Sequence, residues 1–359
     1  MSLEFSSPFV LNCSRVGRYG GLKTHADEVM RSVLARGCGC TAVVPADYIA
    51  PDGVDSIFTP ASFAGATNLS LLRPIKWFIY SYFKFPIPER ERILCTTHHV
   101  IPGRFRQVVT IHDLRPYFLP DTAVQSFYFH HVLPRALKHC DGIISSSETS
   151  RKLIAEVYKI PLDRIAVVPL TVRQPERFTL KPVLWSEPFL LVVGASWGHK
   201  NIETLLRQQA LWSREYGLKI VGGRGPYLTR LEKLASSLGI SDRIEFLSDV
   251  STGRLEQLYA GCSALVYPSK MEGFGLPPLE AMVRRRPAIV ADIPVFRELY
   301  GPHALFVQVE NADSWQKAFS TLPSIDSIQL DAAREHAATF NHSRMAHALN
   351  EALHRFWSL

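Results

Sequence analysis

Short apolar runs rich in Val, Ile, Leu and Phe alternate along this chain with longer stretches whose apolar positions recur at spacings of three and four. The short runs predict strands of a parallel sheet buried on both faces, and the longer stretches predict the amphipathic crossover helices between them. In the first half "FVLNCS", "CTAVVPAD", "RILCTTHH", "RQVVTIHDL", "DGIISSS" and "DRIAVVPL" read as strands, with "THADEVMRSVLARG" and "SETSRKLIAEVYKI" as helices. The second half repeats the alternation: "FLLVVGA", "LKIVGG", "RIEFLSD", "ALVYPS", "PAIVAD" and "ALFVQV" are strands. "NIETLLRQQALWSREYG", "YLTRLEKLASSLGI", "STGRLEQLYAGC" and "PLEAMVRRR" are the helices among them. Between the halves, "LTVRQPERFTLKPVLWSEP" (170–188) carries prolines and no periodicity, which predicts a linker. The expected organisation is α/β: a Rossmann-like domain over 1–172, a second over 186–340, and a terminal helix over 341–359 that packs back on the first. Two doubly wound domains on one linker are expected to face each other across a cleft that holds the active site.

At 359 residues the chain exceeds one ordinary hydrophobic core, in keeping with two domains. Its net charge of +7 favours an acidic partner, such as a phosphate-bearing small molecule, nucleic acid or anionic lipid. The basic residues are scattered and no zinc-finger or aromatic RNA-binding pattern occurs, which argues against nucleic acid. The six cysteines offer one close pair, Cys38 and Cys40, a poor zinc site, and are expected to be buried reduced thiols. The amino terminus is too short in apolar residues for a signal peptide, and no run is long enough to span a membrane, so a cytoplasmic location is expected. The stretch "RPIKWFIYSYFKFPIPERER" (73–92) reads as a core helix, with an interfacial membrane helix as the competing reading.

Four loops follow predicted strands, where open α/β sheets bind ligands. "RVGRYGGLKTH" sets Gly17, Gly20 and Gly21 before a helix, an arrangement that turns backbone amides and the helix dipole toward a phosphate. "VVTIHDLRP" ends a strand with His112, able to meet a sugar hydroxyl, and Asp113, able to cap the next turn. "VVGASWGHKN" puts Lys200 at a helix start, suited to a diphosphate, and "GGRGP" adds Arg224 as a further phosphate contact. In "PSKMEGFGLPPLEAM", Glu272 leaves the strand end, Gly273 and Gly275 allow close backbone approach, and Pro277 and Pro278 start a helix with Glu280 in its first turn.

That last segment resembles the E-x7-E motif of the retaining glycosyltransferases of family 4, which adopt the GT-B fold of two Rossmann-like domains. "GRYGG", "VTIHDL", "LPRALKHCDGIISSSETSRKLI", "RIAVVPL", "GHKN" and "GRLEQLYAGCSALVYPSKMEGFGLPPLEAM" are also similar to that family, so the likeness runs through nearly the whole chain. It implies that Glu272 sits beside the donor sugar, that the amides of Gly273, Phe274, Gly275 and Leu276 hold its hydroxyls, and that Glu280 takes the ribose. It further implies that Gly20, Gly21 and Lys200 hold the diphosphate and that His112 contacts the transferred sugar. The family's usual arginine is missing, since His199 and Ala195 occupy its two places, and Arg224 is the candidate replacement.

Departure of a nucleoside diphosphate from a sugar needs fixed positive charge at the leaving group. No D-x-D occurs, so no metal ligand and no cofactor are expected, with Lys200, amides and helix termini in the metal's place. The reaction implied is retaining transfer of a hexose from a nucleotide diphosphate sugar to a glycan or lipid-linked acceptor in polysaccharide assembly. Likeness to bacterial mannosyltransferases favours mannose from GDP-mannose, and lipid-linked acceptors imply peripheral contact at the inner face of the membrane. A sugar-nucleotide epimerase or hydrolase, or a non-catalytic nucleotide-sugar binder, is the alternative on the same fold. Glu272 is either nucleophile or electrostatic stabiliser.

Overall fold

The computed structural model describes residues 9–17, 20–37, 39–60, 79–87, 91–103, 105–175 and 185–359. The chain forms two compact units, Met1–Thr171 with His342–Leu359, and Val172–Asn341. Residues 1–8, 18–19, Cys38, 61–78, 88–90, 104 and 176–184, with the parts of the glycine loop, expected linker and aromatic stretch that they carry, lie outside the described residues.

The first unit is built on a seven-stranded parallel sheet in the order β3-β2-β1-β4-β5-β6-β7. Its strands are β1 (Val10–Asn12), β2 (Cys40–Val44), β3 (Val54–Phe58), β4 (Arg92–Cys95), β5 (Arg106–Ile111), β6 (Gly142–Ser145) and β7 (Ile165–Val167). Val10 of β1 lies opposite Thr41 on one side and Ile93 on the other, so the chain order reverses at β1 and β4. Strands β1, β2 and β6 are buried throughout, which is why they read as continuous apolar runs. The pattern missed β3: at the sheet edge, "VDSIF" is only half buried and interleaves polar residues.

The helix His342–Trp357 belongs to this unit. Met345, Leu349, Ala352, Leu353 and Trp357 form its buried face and pack with Phe9, Leu11, Val29 and Met30. Each large apolar side chain so buried contributes about 1.5–3 kcal/mol. Polar contacts fix the register: His342 Nδ1 lies 2.7 Å from Glu28 Oε2, and Trp357 Nε1 donates to Asp141 Oδ2 at 2.6 Å.

The second unit carries a six-stranded parallel sheet in the order β10-β9-β8-β11-β12-β13. These are β8 (Phe189–Val193), β9 (Gly217–Val221), β10 (Ile244–Leu247), β11 (Ala264–Tyr267), β12 (Ala288–Ala291) and β13 (Leu305–Val307). This is the doubly wound order whose switch point falls between the first and fourth strands, here β8 and β11. The helix expected over 201–217 is broken into Ile202–Arg207 and Gln209–Trp212. The break lets fully buried Trp212 turn into the core, its Nε1 donating to Leu205 O at 3.0 Å.

Core packing of the aromatic stretch is corrected in part: Ile79, Tyr82 and Phe83 are exposed, whereas Tyr80 and Phe85 pack with Ile101 and Phe105. Cys13, Cys40, Cys95, Cys140 and Cys262 are buried free thiols, and burial pushes the Cys13 thiol up to about 12. Among the described residues no helix is long and apolar enough to cross a membrane.

Candidate active site

Lys200 is placed by a loop with little freedom. After β8 the chain turns at Gly194, whose φ of +90° favours glycine, and runs through the tight turn Gly198–Lys200 to Asn201 in the left-handed region at φ 56°. Asn201 is buried and its Nδ2 donates to Pro268 O at 3.2 Å, while Lys270 N donates to His199 O at 2.9 Å. The loops after β8 and β11 are thereby clipped to each other at the switch point.

Across this clip Lys200 Nζ donates to Glu272 Oε1 and to Tyr267 OH, both at 2.6 Å, and Tyr267 OH donates to Glu272 Oε1 at 3.1 Å. His199 Nε2 stands 3.8 Å from the same carboxylate oxygen. The side chains of Lys200 and Glu272 are 16% and 12% exposed, so the pair is nearly dry. Burial alone would raise the Glu272 carboxyl, but Lys200 and then His199 outweigh it and hold it below the usual carboxylate range. Burial followed by the Glu272 charge pushes the Tyr267 phenol well up, so it stays a donor. The result is a fixed anion and a fixed ammonium in one partly desolvated group, an arrangement that can stabilise charge developing on either side of a breaking bond.

The glycine turn after Glu272 has a strict steric reason. Gly275 sits at φ +108°, Tyr300 OH donates to its carbonyl at 2.7 Å, and a Cβ there would meet Phe296 Cε1 at 2.8 Å. Phe274 is buried with its ring edge-on to Phe340, so its side chain serves the core and only its backbone is available to a ligand.

Glu280 requires a correction. The helix starts at Leu276 and has no acidic residue in its first turn, because the left-handed Gly275 caps it one residue earlier than the prolines suggest. The helix dipole therefore does not account for this carboxylate. Tyr259 OH instead donates to Glu280 Oε2 at 2.5 Å, and Arg284 Nη1 donates to the Glu280 backbone carbonyl at 2.6 Å. Arg284 also grips Glu256 through Nε at 2.8 Å. Burial raises the Glu280 carboxyl despite the lowering influence of Tyr259 and Arg284.

Arg224 is not brought into this group: it is 84% exposed and its partner is Asp249 at 3.6 Å. Its loop is nonetheless close to the one after β8, since a Cβ on Gly222 would meet Ala195 O at 2.7 Å and Gly223 N donates to Ser196 Oγ at 3.0 Å.

In the first unit, Gly20 at φ +97° caps the helix Gly21–Leu34, and neither Gly20 nor Gly21 has an atom within 4 Å of the place of a Cβ. His112 directly follows β5, with Nε2 3.1 Å from Thr96 O. Only a protonated Nε2 can bond a carbonyl, so Nδ1 is the acceptor nitrogen, and it is buried with no hydrogen-bond partner. Burial pushes this histidine down to about 4, so it is neutral. The carboxylate of Asp113 caps the following turn, accepting from Arg115 N at 2.9 Å. Among the described residues no group of three or more His, Cys, Asp or Glu is placed to hold a metal ion.

Tyr259, Tyr267, Tyr300 and Arg284 were not singled out by sequence reasoning. Arg284 alone carried a signal, lying four residues after Glu280 where helical side chains meet.

The family models for Glycosyltransferase Family 4 and for Glycosyl transferases group 1 match residues 19–173 and 177–338. The O-antigen chain mannosyltransferase RfbU of Salmonella typhimurium is 35% identical over 88% of this chain and 91% of its own length. The O-antigen chain mannosyltransferase B of Escherichia coli is 29% identical over 74% of this chain and 68% of its own. Among solved structures, sucrose-phosphate synthase from Thermosynechococcus elongatus superposes with a TM-score of 0.79 at 19% identity, covering 98% of this chain and 99% of that one, a likeness of fold. With its two Rossmann-like domains of GT-B type, the chain belongs to the family 4 glycosyltransferases.

Proposed function

We propose that this glycosyltransferase moves mannose from GDP-mannose, with retention of anomeric configuration, to a glycan or lipid-linked acceptor in O-antigen assembly. The observation that carries the reading is the Lys200–Tyr267–Glu272 group at the β8/β11 switch point. The preference for mannose and for O-antigen rests on the two mannosyltransferase relatives.

The chemistry follows from the charges. Lys200 offers its ammonium to the diphosphate, where negative charge grows as the glycosidic bond breaks. Glu272, ionised because of Lys200 and His199, stabilises the oxocarbenium-like sugar. Attack on the face that the diphosphate leaves, with a phosphate oxygen taking the acceptor proton, gives retention without a covalent intermediate. Glu280 accepts the two ribose hydroxyls, and the amides of the Gly273–Leu276 turn meet the hydroxyls of the sugar. His112, its tautomer set by Thr96 O, accepts a sugar hydroxyl at Nδ1. Gly20 and Gly21 give amides to the diphosphate, and the reaction needs no metal or other cofactor. Exposed Ile79, Tyr82 and Phe83 support peripheral contact with the inner face of a membrane.

The test is turnover of GDP-mannose with a mannose-terminated lipid-linked acceptor. Acceptor-dependent release of GDP is expected, continuing in excess EDTA, with an α linkage read from the one-bond C1–H1 coupling at the anomeric carbon of the first product. Release that ignores the acceptor identifies a hydrolase, a β linkage removes retention, and recovery by added magnesium or manganese removes metal independence.

A further inference from the structure

The Lys200–Glu272 pair carries no net charge. An ammonium and a carboxylate 2.6 Å apart offset each other, and burial with the Glu272 charge keeps the Tyr267 phenol neutral. The diphosphate of a nucleotide sugar is a dianion, and more negative charge collects on it as the glycosidic bond breaks. Lys200 has three protons to donate, and Glu272 and Tyr267 take two of them. The group is thus short of positive charge for the ligand assigned to it.

The neighbouring cations are committed elsewhere. Arg224 is 84% exposed and pairs with Asp249, Arg230 pairs with Glu203, and Arg284 grips Glu256. Lys270 gives the clip its backbone amide, but the residue is exposed, where water and salt screen a charge.

His199 stands in a different position. It precedes Lys200 in the tight turn after β8, and its side chain is 9% exposed. Lys270 N donates to its carbonyl at 2.9 Å, which anchors the residue where the loops after β8 and β11 meet. Its Nε2 lies 3.8 Å from Glu272 Oε1, beyond hydrogen-bonding distance of that oxygen but near enough for a charge on the ring to act on the pair and on a ligand beside it. Histidine is the side chain that gains or loses its charge near neutral pH, so it can become a cation when a dianion arrives.

We propose that His199 is the second cation of the donor site: it takes up a proton from solvent when the diphosphate of the nucleotide sugar binds, and its imidazolium joins Lys200 in holding the leaving group. This rests on the donor-site reading and adds a proton linkage to it. The protonated ring is the form that holds the dianion, so affinity falls as pH rises. The groups that face His199 are Lys200, Glu272 and Tyr267, with Arg230 and its partner Glu203 behind the turn, where a Cβ on Gly198 would lie 3.6 Å from Arg230 Nη2. Glu272 is held below the usual carboxylate range and Tyr267 is pushed well up, so neither titrates near neutral pH. Glu280, raised by burial, gives the opposite sign, because its ionised form is the one that accepts a ribose hydroxyl.

The probe is GDP-mannose, whose diphosphate has no proton to exchange near neutral pH. It is titrated calorimetrically into the full chain, as wild type, His199→Gln, His199→Arg and Lys270→Ala, at about pH 6 and about pH 8.5, on either side of the ordinary histidine range. Wild-type affinity is expected to fall about tenfold between the two, the equivalent of one charge-assisted hydrogen bond. His199→Gln should bind about tenfold more weakly than wild type at the lower pH and equally at the higher. His199→Arg, with a fixed charge, should keep at the higher pH the affinity that wild type has at the lower. Heats measured in Tris and in HEPES should show proton uptake by wild type and none by either His199 variant. A wild-type affinity that does not change with pH, a His199→Gln loss of equal size at both pH values, or a loss on Lys270→Ala in place of His199→Gln would overturn the proposal and leave the donor reading standing. If GDP-mannose binds at neither pH, the donor reading falls and the proposal with it. If His199→Arg does not fold, His199→Lys makes the same comparison.

Discussion

Where the loops after β8 and β11 meet, an ammonium lies 2.6 Å from a carboxylate, whereas beyond β4 and β5 stand imidazoles that burial keeps neutral. The two sheets share strand order around their switch points, yet their carboxyl edges are suited to different partners. The second unit concentrates opposite charges in a partly dry place, which in the proposed reaction would act on a diphosphate and on a cationic sugar. The first unit carries neutral imidazoles at its strand ends, with Arg15 and Arg115 acting electrostatically on His98. One strand order thus carries two kinds of edge, and the side chains at the strand ends decide which.

Breaking the charged edge gives the largest effect. Lys200→Ala leaves Glu272 as an uncompensated buried anion, an expected loss of about 3–5 kcal/mol of stability, measured by chemical denaturation at neutral pH. Without the lysine, burial dominates and the Glu272 carboxyl should titrate above its usual range, which carboxyl NMR can follow. A melt identical to wild type would mean that the pair is solvated and that the charged edge is not what it is taken to be. Glu272→Gln keeps the shape and removes the charge, and a fall in turnover of about 10²–10³-fold is expected, with GDP affinity little changed.

The sequence shows most of the fold and part of this comparison. Central strands such as "FLLVV" are legible because both faces are buried, and the pair Glu272 and Glu280 is legible because it brackets a glycine turn. What escaped depends on partners distant in sequence. Tyr259 reaches Glu280 from the preceding helix, and Tyr300 bonds Gly275 from 25 residues away. His98 and His99 were read only as the tail of a strand, since the rings they meet, Phe129 and Tyr128, lie about thirty residues further along the chain. The helix start at Leu276 turned on a backbone dihedral at Gly275 that outweighed the proline signal.

Smaller effects sharpen the contrast. Gly275→Ala forces a Cβ against Phe296 and the Tyr300 hydroxyl at positive φ, and should cost about 1–3 kcal/mol, read from the shift in denaturation midpoint. The histidine edge should show itself in acid. The pKa values of His25, His98, His99 and His112 are depressed below the ordinary 6.5, so the unfolded chain binds more protons than the folded one below that pH. Their contribution to stability is complete above 6.5 and is lost progressively as pH falls, through about 4 for His112 and about 3 for His98. His98→Ala should flatten that slope, and an unchanged slope would mean that the ring is hydrated in the folded state.

The central claim is that the edge of the second unit holds the nucleotide. Calorimetric titration of GDP into the wild-type chain, Glu280→Ala and His98→Ala tests it most directly. The account predicts an affinity loss of about 10- to 100-fold for Glu280→Ala, equivalent to charge-assisted bonds of about 1.5–3 kcal/mol to the ribose, and none for His98→Ala. Equal affinity of Glu280→Ala and wild type, or a loss confined to His98→Ala, would contradict it.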